Sequence, residues 1–203
     1  MSKMRWITAA LIVCGAICAQ ERGTPVFDDN FDVKGAFPKN WKPTAGVKNE
    51  NGVLMLPAVG GRIFMKRKMP EEFYATVRLK LSQPDPDPKK RGGFAGFSVA
   101  GRVFVIRQDG KAWMVYKIPG QKNSGGAIQK IADFEFGKFY TLTLIRKSAG
   151  TDKSSSQWTY LVDGKMIGQA VIPGISENAQ LSIFTYRTDA GLDDFQLSGL
   201  KEK

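Results

Sequence analysis

After residue 25 the chain is a succession of short hydrophobic segments with a period of two, and no convincing helical periodicity interrupts them. Valine, isoleucine, phenylalanine and tyrosine dominate these segments, and glycine or proline separates them. Such alternation places one set of side chains on a buried face of a strand. So many strands without a helix predict an all-β sandwich or barrel. The predicted strands cover residues 26–31, 53–57, 62–68, 73–82, 94–100, 103–108, 111–118, 127–133, 139–147, 157–163, 166–172, 180–187 and 192–199.

Three dipeptides predict tight turns between these strands: Asn51-Gly52, Asp109-Gly110 and Asp163-Gly164. Asn-Gly and Asp-Gly supply the positive φ angles that short hairpins need. A two-residue loop at Asp109-Gly110 would pair Gln108 with Lys111 and Ile106 with Trp113.

This pairing predicts the two faces of the central hairpin. One face, with Trp113 as its largest member, would belong to the core: Phe104, Ile106, Trp113 and Val115. The other would be mixed: Val103, Val105, Arg107, Ala112, Met114 and Tyr116. A mixed face is typical of a sugar-binding groove, but Met114 and Tyr116 packed under a loop would give the same pattern.

The chain contains no histidine. Histidine is the side chain that titrates near neutral pH and the commonest ligand of transition metals. Its absence excludes Ser-His-Asp and Cys-His hydrolysis and most zinc, copper and iron chemistry. Any catalysis would use carboxylates, lysine, tyrosine or an oxygen-bound cation.

The first nineteen residues have the pattern of an export signal. Lys3 and Arg5 precede an apolar run over residues 6–17, and small residues follow before polar sequence begins. The apolar run is too short to cross a bilayer. We therefore predict a signal peptide over residues 1–19, cleaved after Ala19, and no transmembrane segment.

The mature protein is expected to be a single domain, residues 20–203, that is secreted or periplasmic. A lipoprotein is the less favoured alternative, because Val13 and Ile17 stand before Cys14 and Cys18 where a lipid-attachment motif needs a small residue. Both cysteines lie in the predicted signal, so the mature chain would have no disulfide and no thiolate chemistry.

The basic excess of the chain indicates an anionic environment. The formal net charge is +11, and removal of Lys3 and Arg5 with the signal leaves +9. For an exported protein, this charge suggests a partner such as acidic polysaccharide, envelope polymers, anionic lipid or nucleic acid. A soluble surface with a charge bias is an equally open interpretation, since the basic residues are dispersed.

Six short motifs in a fixed order carry a family resemblance. Together they resemble the concanavalin A-like lectin/glucanase superfamily, in particular laminin-G-like and 3-keto-disaccharide hydrolase-like domains, over nearly the whole mature chain. The resemblance implies a two-sheet antiparallel jelly-roll sandwich. The motifs are Phe27-Asp-Asp-Asn-Phe-Asp32, Pro38 with Trp41, Asn51-Gly-Val-Leu54, Phe139-Tyr-Thr-Leu-Thr-Leu144, Tyr160-Leu-Val-Asp-Gly-Lys165 and Leu192-Asp-Asp-Phe-Gln-Leu197.

The resemblance implies a structural Ca²⁺ that joins the amino-terminal segment to the last strand. The matching ligands in this chain would be Asp194, Asp29 and Gly52, which supply the oxygen atoms that calcium prefers. The glucanase branch uses a Glu-x-Asp-x-x-Glu strand with two catalytic glutamates, and this chain has no match. The nearest acidic pair on one strand face, Asp133 and Glu135, lacks a third carboxylate. We therefore assign no catalytic residue.

The favoured function is an exported, non-catalytic carbohydrate-binding domain for an extracellular or envelope glycan, with an acidic glycan preferred. Aromatic faces and guanidinium groups hold sugars and their acidic substituents, and the candidates are Arg107, Tyr116, Tyr186 and Arg187. Two alternatives stay open: a glycoside hydrolase-type enzyme of the 3-keto-disaccharide hydrolase-like kind, and a structural envelope protein that docks another protein. Nucleic acid is not an expected partner, because no basic-aromatic module is present.

Overall fold

The computed structural model describes residues 22–32, 39–87, 92–117, 124–149, 155–173 and 180–200. The predicted signal peptide lies outside these residues. The described part of the chain forms fifteen β-strands: β1 (Arg22–Asp29), β2 (Trp41–Pro43), β3 (Lys48–Glu50), β4 (Val53–Leu56), β5 (Arg62–Met65), β6 (Phe73–Leu81), β7 (Phe94–Val99), β8 (Arg102–Arg107), β9 (Lys111–Lys117), β10 (Ser124–Lys130), β11 (Tyr140–Ala149), β12 (Ser155–Val162), β13 (Lys165–Pro173), β14 (Leu181–Tyr186) and β15 (Ala190–Leu200). Among these residues there is no helix that could span a membrane.

The strands form two antiparallel sheets, as the sequence predicts. The eight-stranded sheet has the order β13-β12-β11-β6-β15-β4-β3, with β1 also paired to β15. The seven-stranded sheet has the order β10-β9-β8-β7-β14-β5-β2. The prediction of an all-β jelly-roll sandwich is confirmed.

The core lies between the inner faces of the two sheets. Alternate residues of β6, from Phe73 to Leu81, are all buried, because every second side chain points to the same face. Trp158 of the eight-stranded sheet stacks on Phe104 of the seven-stranded sheet, with ring centroids 5.5 Å apart and an interplanar angle of 18°. Burial of each such side chain contributes about 1.5–3 kcal/mol.

All thirteen predicted strands are present, with ends that differ by a few residues. The sequence missed β2 and β3, which have three residues each. Both are mostly exposed, and only Trp41 is fully buried among them. A strand this short has too few alternations to show a period of two.

Two of the turn dipeptides form two-residue hairpins. Asp163 and Gly164 have φ angles of 48° and 76°, and Val162 pairs directly with Lys165. Asn51 and Gly52, with φ of 53° and 82°, similarly join β3 to β4. Positive φ at both central residues is typical of the type I′ turn.

The third hairpin contradicts the predicted register. Ile106 pairs with Ala112, not with Trp113, so the loop contains three residues: Gln108, Asp109 and Gly110. The N–H of Gly110, the one positive-φ residue of this loop, donates to the carbonyl of Arg107 at 3.0 Å. This is the loop with a type I turn followed by a left-handed glycine.

Gln108 accounts for the extra residue in the loop. Its backbone N–H donates to the carbonyl of Gly93 at 3.0 Å, and its side-chain oxygen accepts the N–H of Gly93 at 3.0 Å. Its amide nitrogen donates to Thr188 Oγ1 at 3.0 Å. These bonds hold Gln108 against β7 and β14, so it does not pair with Lys111.

Candidate functional site

In the observed register, Trp113 and Tyr116 lie on the faces of the sheet opposite to those that the sequence predicts. Trp113, predicted in the core, lies on the outer face of the seven-stranded sheet with Arg107. Tyr116, predicted beside Arg107, points to the inner face, where it packs against the core. A Cβ at Gly125 would come 2.5 Å from the Tyr116 ring, so this glycine leaves space for the tyrosine.

The outer face of the seven-stranded sheet is rich in aromatic and basic side chains. Register across the sheet places these residues on one face, because their immediate neighbours along each strand point to the core. The aromatic and basic members are Lys42, Arg62, Phe64, Phe94, Arg107, Lys111, Trp113, Lys117, Lys130, Phe184 and Tyr186.

Three aromatic rings form a continuous group at the centre of this outer face. Phe94 on β7 lies between Phe184 and Tyr186 on β14, with ring centroids at 5.8 Å and 5.0 Å. Tyr186 is 46% exposed. The guanidinium of Arg187, directly after β14, lies 5.1 Å from the Tyr186 ring centroid. The group offers apolar surface, chiefly the exposed Tyr186 ring, with a hydroxyl and a cation at its edge.

Arg107 is held in place on the same face by two neighbours. Its guanidinium carbon lies 3.5 Å from the centroid of the Trp113 ring, a close cation–π contact. Its Nε lies 3.2 Å from Asp109 Oδ1, and Lys111 Nζ lies 3.3 Å from Asp109 Oδ2. The guanidinium is therefore oriented before any ligand binds, which lowers the entropy cost of binding.

Arg62 has an equivalent aromatic setting on β5. Its guanidinium carbon lies 4.9 Å from the Phe184 ring centroid and 5.6 Å from that of Phe64. Lys42 on β2 neighbours Phe64 in the register. Each of the two arginines on the outer face therefore lies against an aromatic ring.

Gly96 forms the floor of the outer face at its centre. It pairs with Phe184 on one side and with Val105 on the other. A Cβ at Gly96 would come 2.2 Å from the carbonyl oxygen of Phe104. Gly96 therefore allows a close approach of the β7 and β8 backbones.

The predicted site residues fall into two groups. Tyr186 and Arg107 share the outer face, two strands apart, and Arg187 lies at its edge. Tyr116 lies on the opposite face of β9. The sequence analysis placed Trp113 in the core and so did not name it as a site residue. The period of two along Leu181–Tyr186 puts Phe184 on the same face as Tyr186, and this pattern could have identified Phe184 from the sequence. Whether any of these residues binds a ligand stays a prediction.

No protein-family model and no curated protein sequence matches the chain. Solved structures match it closely in fold. A structure from work described as "Prominent members of the human gut microbiota express endo-acting O-glycanases to initiate mucin breakdown" covers 88% of this chain and 100% of its own, with 16% identity and a TM-score of 0.63. A prokaryotic β-1,3-1,4-glucanase (lichenase) from a mouse hindgut metagenome covers 85% and 98%, with 15% identity and a TM-score of 0.59.

The carbohydrate recognition domain of Emp47p is a third match, over 88% of this chain and 97% of that domain, with 9% identity and a TM-score of 0.54. The fold is the concanavalin A-like jelly roll. The resemblance seen in the sequence motifs is therefore confirmed at the level of the fold, which hosts both glycan-binding and glycan-cleaving proteins among these matches.

The calcium site that the concanavalin A-like resemblance implies involves Asp29, Gly52 and Asp194. Asp29 pairs with Phe195 between β1 and β15, and its Oδ1 accepts the N–H of Phe31 at 3.0 Å. Burial raises the pKa of Asp29, although the N–H of Phe31 and the indole of Trp41 act in the opposite direction.

Gly52 contacts a carboxylate that the sequence did not predict. A Cβ at Gly52 would come 2.6 Å from Asp32 Oδ1, so Asp32, not Asp29, lies against this turn. Asp194 and Asp193 both accept from Arg78 Nη1, at 3.0 Å and 2.9 Å. Burial and the Asp194 carboxylate raise the pKa of Asp193, whereas Arg78 lowers it.

These carboxylates already have partners within the protein. Across the described ranges, no group of three Asp, Glu, His or Cys side chains converges as a metal site. A calcium ion at Asp194 would therefore have to displace Arg78 and draw its remaining ligands from backbone carbonyls. Calcium binding stays a prediction.

A melting experiment tests the calcium prediction. If Asp194 binds the ion, millimolar calcium raises the melting temperature and EDTA reverses the effect, because ligand binding to the native state stabilises it. Asp194→Asn should abolish the shift, and Glu135→Gln, an exposed carboxylate elsewhere, should keep it. An unchanged melting temperature in the unsubstituted protein leaves Asp194 as a partner of Arg78 alone.

Proposed function

We propose that the protein binds a glycan, preferably an acidic one, on the outer face of the seven-stranded sheet without cleaving it. The observation that carries the proposal is the composition of this face. Five aromatic side chains and six basic side chains occupy it, and no strand position on it holds an aspartate or glutamate.

Aromatic rings and guanidinium groups are suited to acidic sugars. The exposed ring of Tyr186 and the half-buried ring of Phe94 offer apolar surface to the C–H face of a sugar, and the buried Phe184 supports them from below. Arg107 can donate two parallel hydrogen bonds to a carboxylate or sulfate, and its contacts with Trp113 and Asp109 orient it for this role. The positive net charge of the chain also favours an anionic ligand.

The missing carboxylates favour binding over hydrolysis. Glycosidases with two catalytic carboxylates hold them about 5–9 Å apart on either side of the bond that breaks. The strands of this face supply neither group. Asp109 lies at the hairpin tip and is paired with Arg107 and Lys111. A glycosidase or a protein-docking module is the alternative function.

A glycan array compared across variants tests the proposal. We expect binding to acidic glycans, and we expect Arg107→Ala to lower the affinity about tenfold, the effect of losing one charge-assisted hydrogen bond of roughly 1.5 kcal/mol. Neutral glycans should lose less, and added salt should weaken the acidic ligands further. Lys165→Ala, an equal charge change on an exposed residue of the other sheet, should leave binding unchanged.

Two further results decide between the functions. Tyr116→Phe should not change glycan affinity, because this side chain packs on the inner face. Turnover of any bound oligosaccharide by the purified protein would contradict a non-catalytic role. Absence of binding to every glycan would favour the protein-docking alternative.

The proposed location is outside the cytoplasm. It depends on residues 1–19, whose charged start and short apolar run are typical of a cleaved export signal. Amino-terminal sequencing of exported protein should begin near Gln20, and an intact Met1 would contradict the prediction.

A further inference from the structure

The basic side chains of the outer face lie in two groups at opposite ends of the sheet. Lys42 on β2 and Arg62 on β5 form the first group. Arg107 on β8, Lys111 on β9 and Lys130 on β10 belong to the second. Each group combines an arginine stacked on an aromatic ring with exposed lysine.

The two strands between these groups carry no charge on the outer face. β14 presents Ser182, Phe184 and Tyr186, and β7 presents Phe94 beside Gly96 and Ser98. Three strand spacings separate β5 from β8, which is roughly 14 Å at about 4.8 Å per spacing. Six spacings separate β2 from β10, which is roughly 29 Å.

This spacing discriminates between short and long ligands. A single acidic sugar is too small to reach both groups, so it gains the attraction of one group only. A chain that carries repeated acidic groups can contact the second group once it has bound the first. The second contact is then intramolecular, with an effective concentration in the millimolar range, and the gain in affinity can reach about 100-fold or more.

Carboxylates contact basic side chains on both sheets. On the exposed side of the eight-stranded sheet, Arg78 is bound to Asp193 and Asp194. On the outer face of the seven-stranded sheet, Asp109 at the hairpin tip contacts Arg107 and Lys111 of the second basic group.

We propose that the ligand is an extended acidic polysaccharide that lies across the strands, with its acidic groups on both basic ends and uncharged ring surface over Phe94 and Tyr186. This inference rests on the proposed function and adds the ligand's polymeric nature and its direction on the sheet.

A length series of galacturonic acid oligomers, from monomer to octamer, tests the inference by calorimetry. We expect the octamer to bind about 100-fold more tightly than the dimer. Arg62→Ala should remove most of this gain and change the dimer affinity less than about twofold, because the dimer retains the Arg107 group. Arg62→Lys keeps the charge on β5 and should keep most of the gain.

The outcomes separate the inference from the proposed function. Equal affinity for the dimer and the octamer, or an octamer affinity that Arg62→Ala does not change, would overturn the inference. If Arg107→Ala still weakens acidic oligomers in that case, the proposed function stands. If neither galacturonate nor heparin oligomers bind the unsubstituted protein, the acidic-glycan proposal is wrong as well.

Discussion

Replacing Trp158 with alanine is expected to destabilise the protein by about 4 kcal/mol, near the middle of the range for buried tryptophan. Trp158 is fully buried. Its ring stacks on Phe104 at 5.5 Å and meets the edge of Phe73 at 5.9 Å. The contact with Phe104 joins the two sheets, so the alanine variant would lose burial and leave a cavity between them.

Urea unfolding followed by circular dichroism measures this effect as a lower midpoint with an unchanged slope. Trp113→Ala is the matched control, since it removes the same side chain from the outer face. We expect it to cost about 1 kcal/mol and to weaken glycan binding, because Arg107 loses its stacking partner. Equal destabilisation by the two substitutions would contradict the assignment of Trp158 to the core and Trp113 to the surface.

The fold could be predicted because its signals are local. Along β6, five alternate residues from Phe73 to Leu81 are apolar and buried, and this pattern is complete within one strand. The three residues of β2 are too few to show such an alternation. Its one core residue, Trp41, is buried by contacts with Phe27 and Phe195, which are distant in sequence.

The candidate site was harder to predict because its geometry depends on one loop. Asp-Gly occurs in two hairpins, yet Asp163 has positive φ and Asp109 does not. The dipeptide permits both a two-residue and a three-residue loop. The hydrogen bonds of Gln108 to Gly93, just before β7, and to Thr188, just after β14, favour the three-residue loop.

A shift of one residue turns every side chain of a strand to the other face. The predicted two-residue loop therefore placed Trp113 in the core and Tyr116 on the surface, whereas the structure has them the other way round. Arg107 was placed correctly, because it precedes the loop on β8. The adjacency of Phe94 to Tyr186 and Arg107 depends on strand order, which no local pattern in the sequence specifies.

Strand order also explains how residues far apart in the chain form one surface. Arg62, Phe94 and Phe184 come from β5, β7 and β14, which are distant in sequence and adjacent in the sheet. Gly96 pairs with Phe184 and with Val105 at the centre of this surface. The position without a side chain also shapes the surface, because it allows β7 and β8 to approach closely.

Gly96→Ala is accordingly expected to lower stability by about 3 kcal/mol and to disturb ligand binding. A Cβ would come 2.2 Å from the carbonyl oxygen of Phe104 and 2.8 Å from the Cα of Val105, both on the paired strand β8. The φ angle of 154° adds strain for any residue with a Cβ. Because backbone atoms cannot rotate aside, β7 and β8 would have to separate at the Gly96–Val105 pair, two residues from where Phe94 faces Arg107.

Gly199→Ala on β15 is the matched control, because nothing lies within 4 Å of its added Cβ. Urea unfolding of both variants isolates the steric effect from the smaller change in unfolded-state entropy that any Gly→Ala substitution produces. Binding of a galacturonate octamer by folded Gly96→Ala should fall, since the substitution moves Arg107 relative to Arg62. Stability of Gly96→Ala within about 0.5 kcal/mol of the Gly199→Ala variant, with unchanged octamer affinity, would show that the outer face does not depend on this close backbone approach.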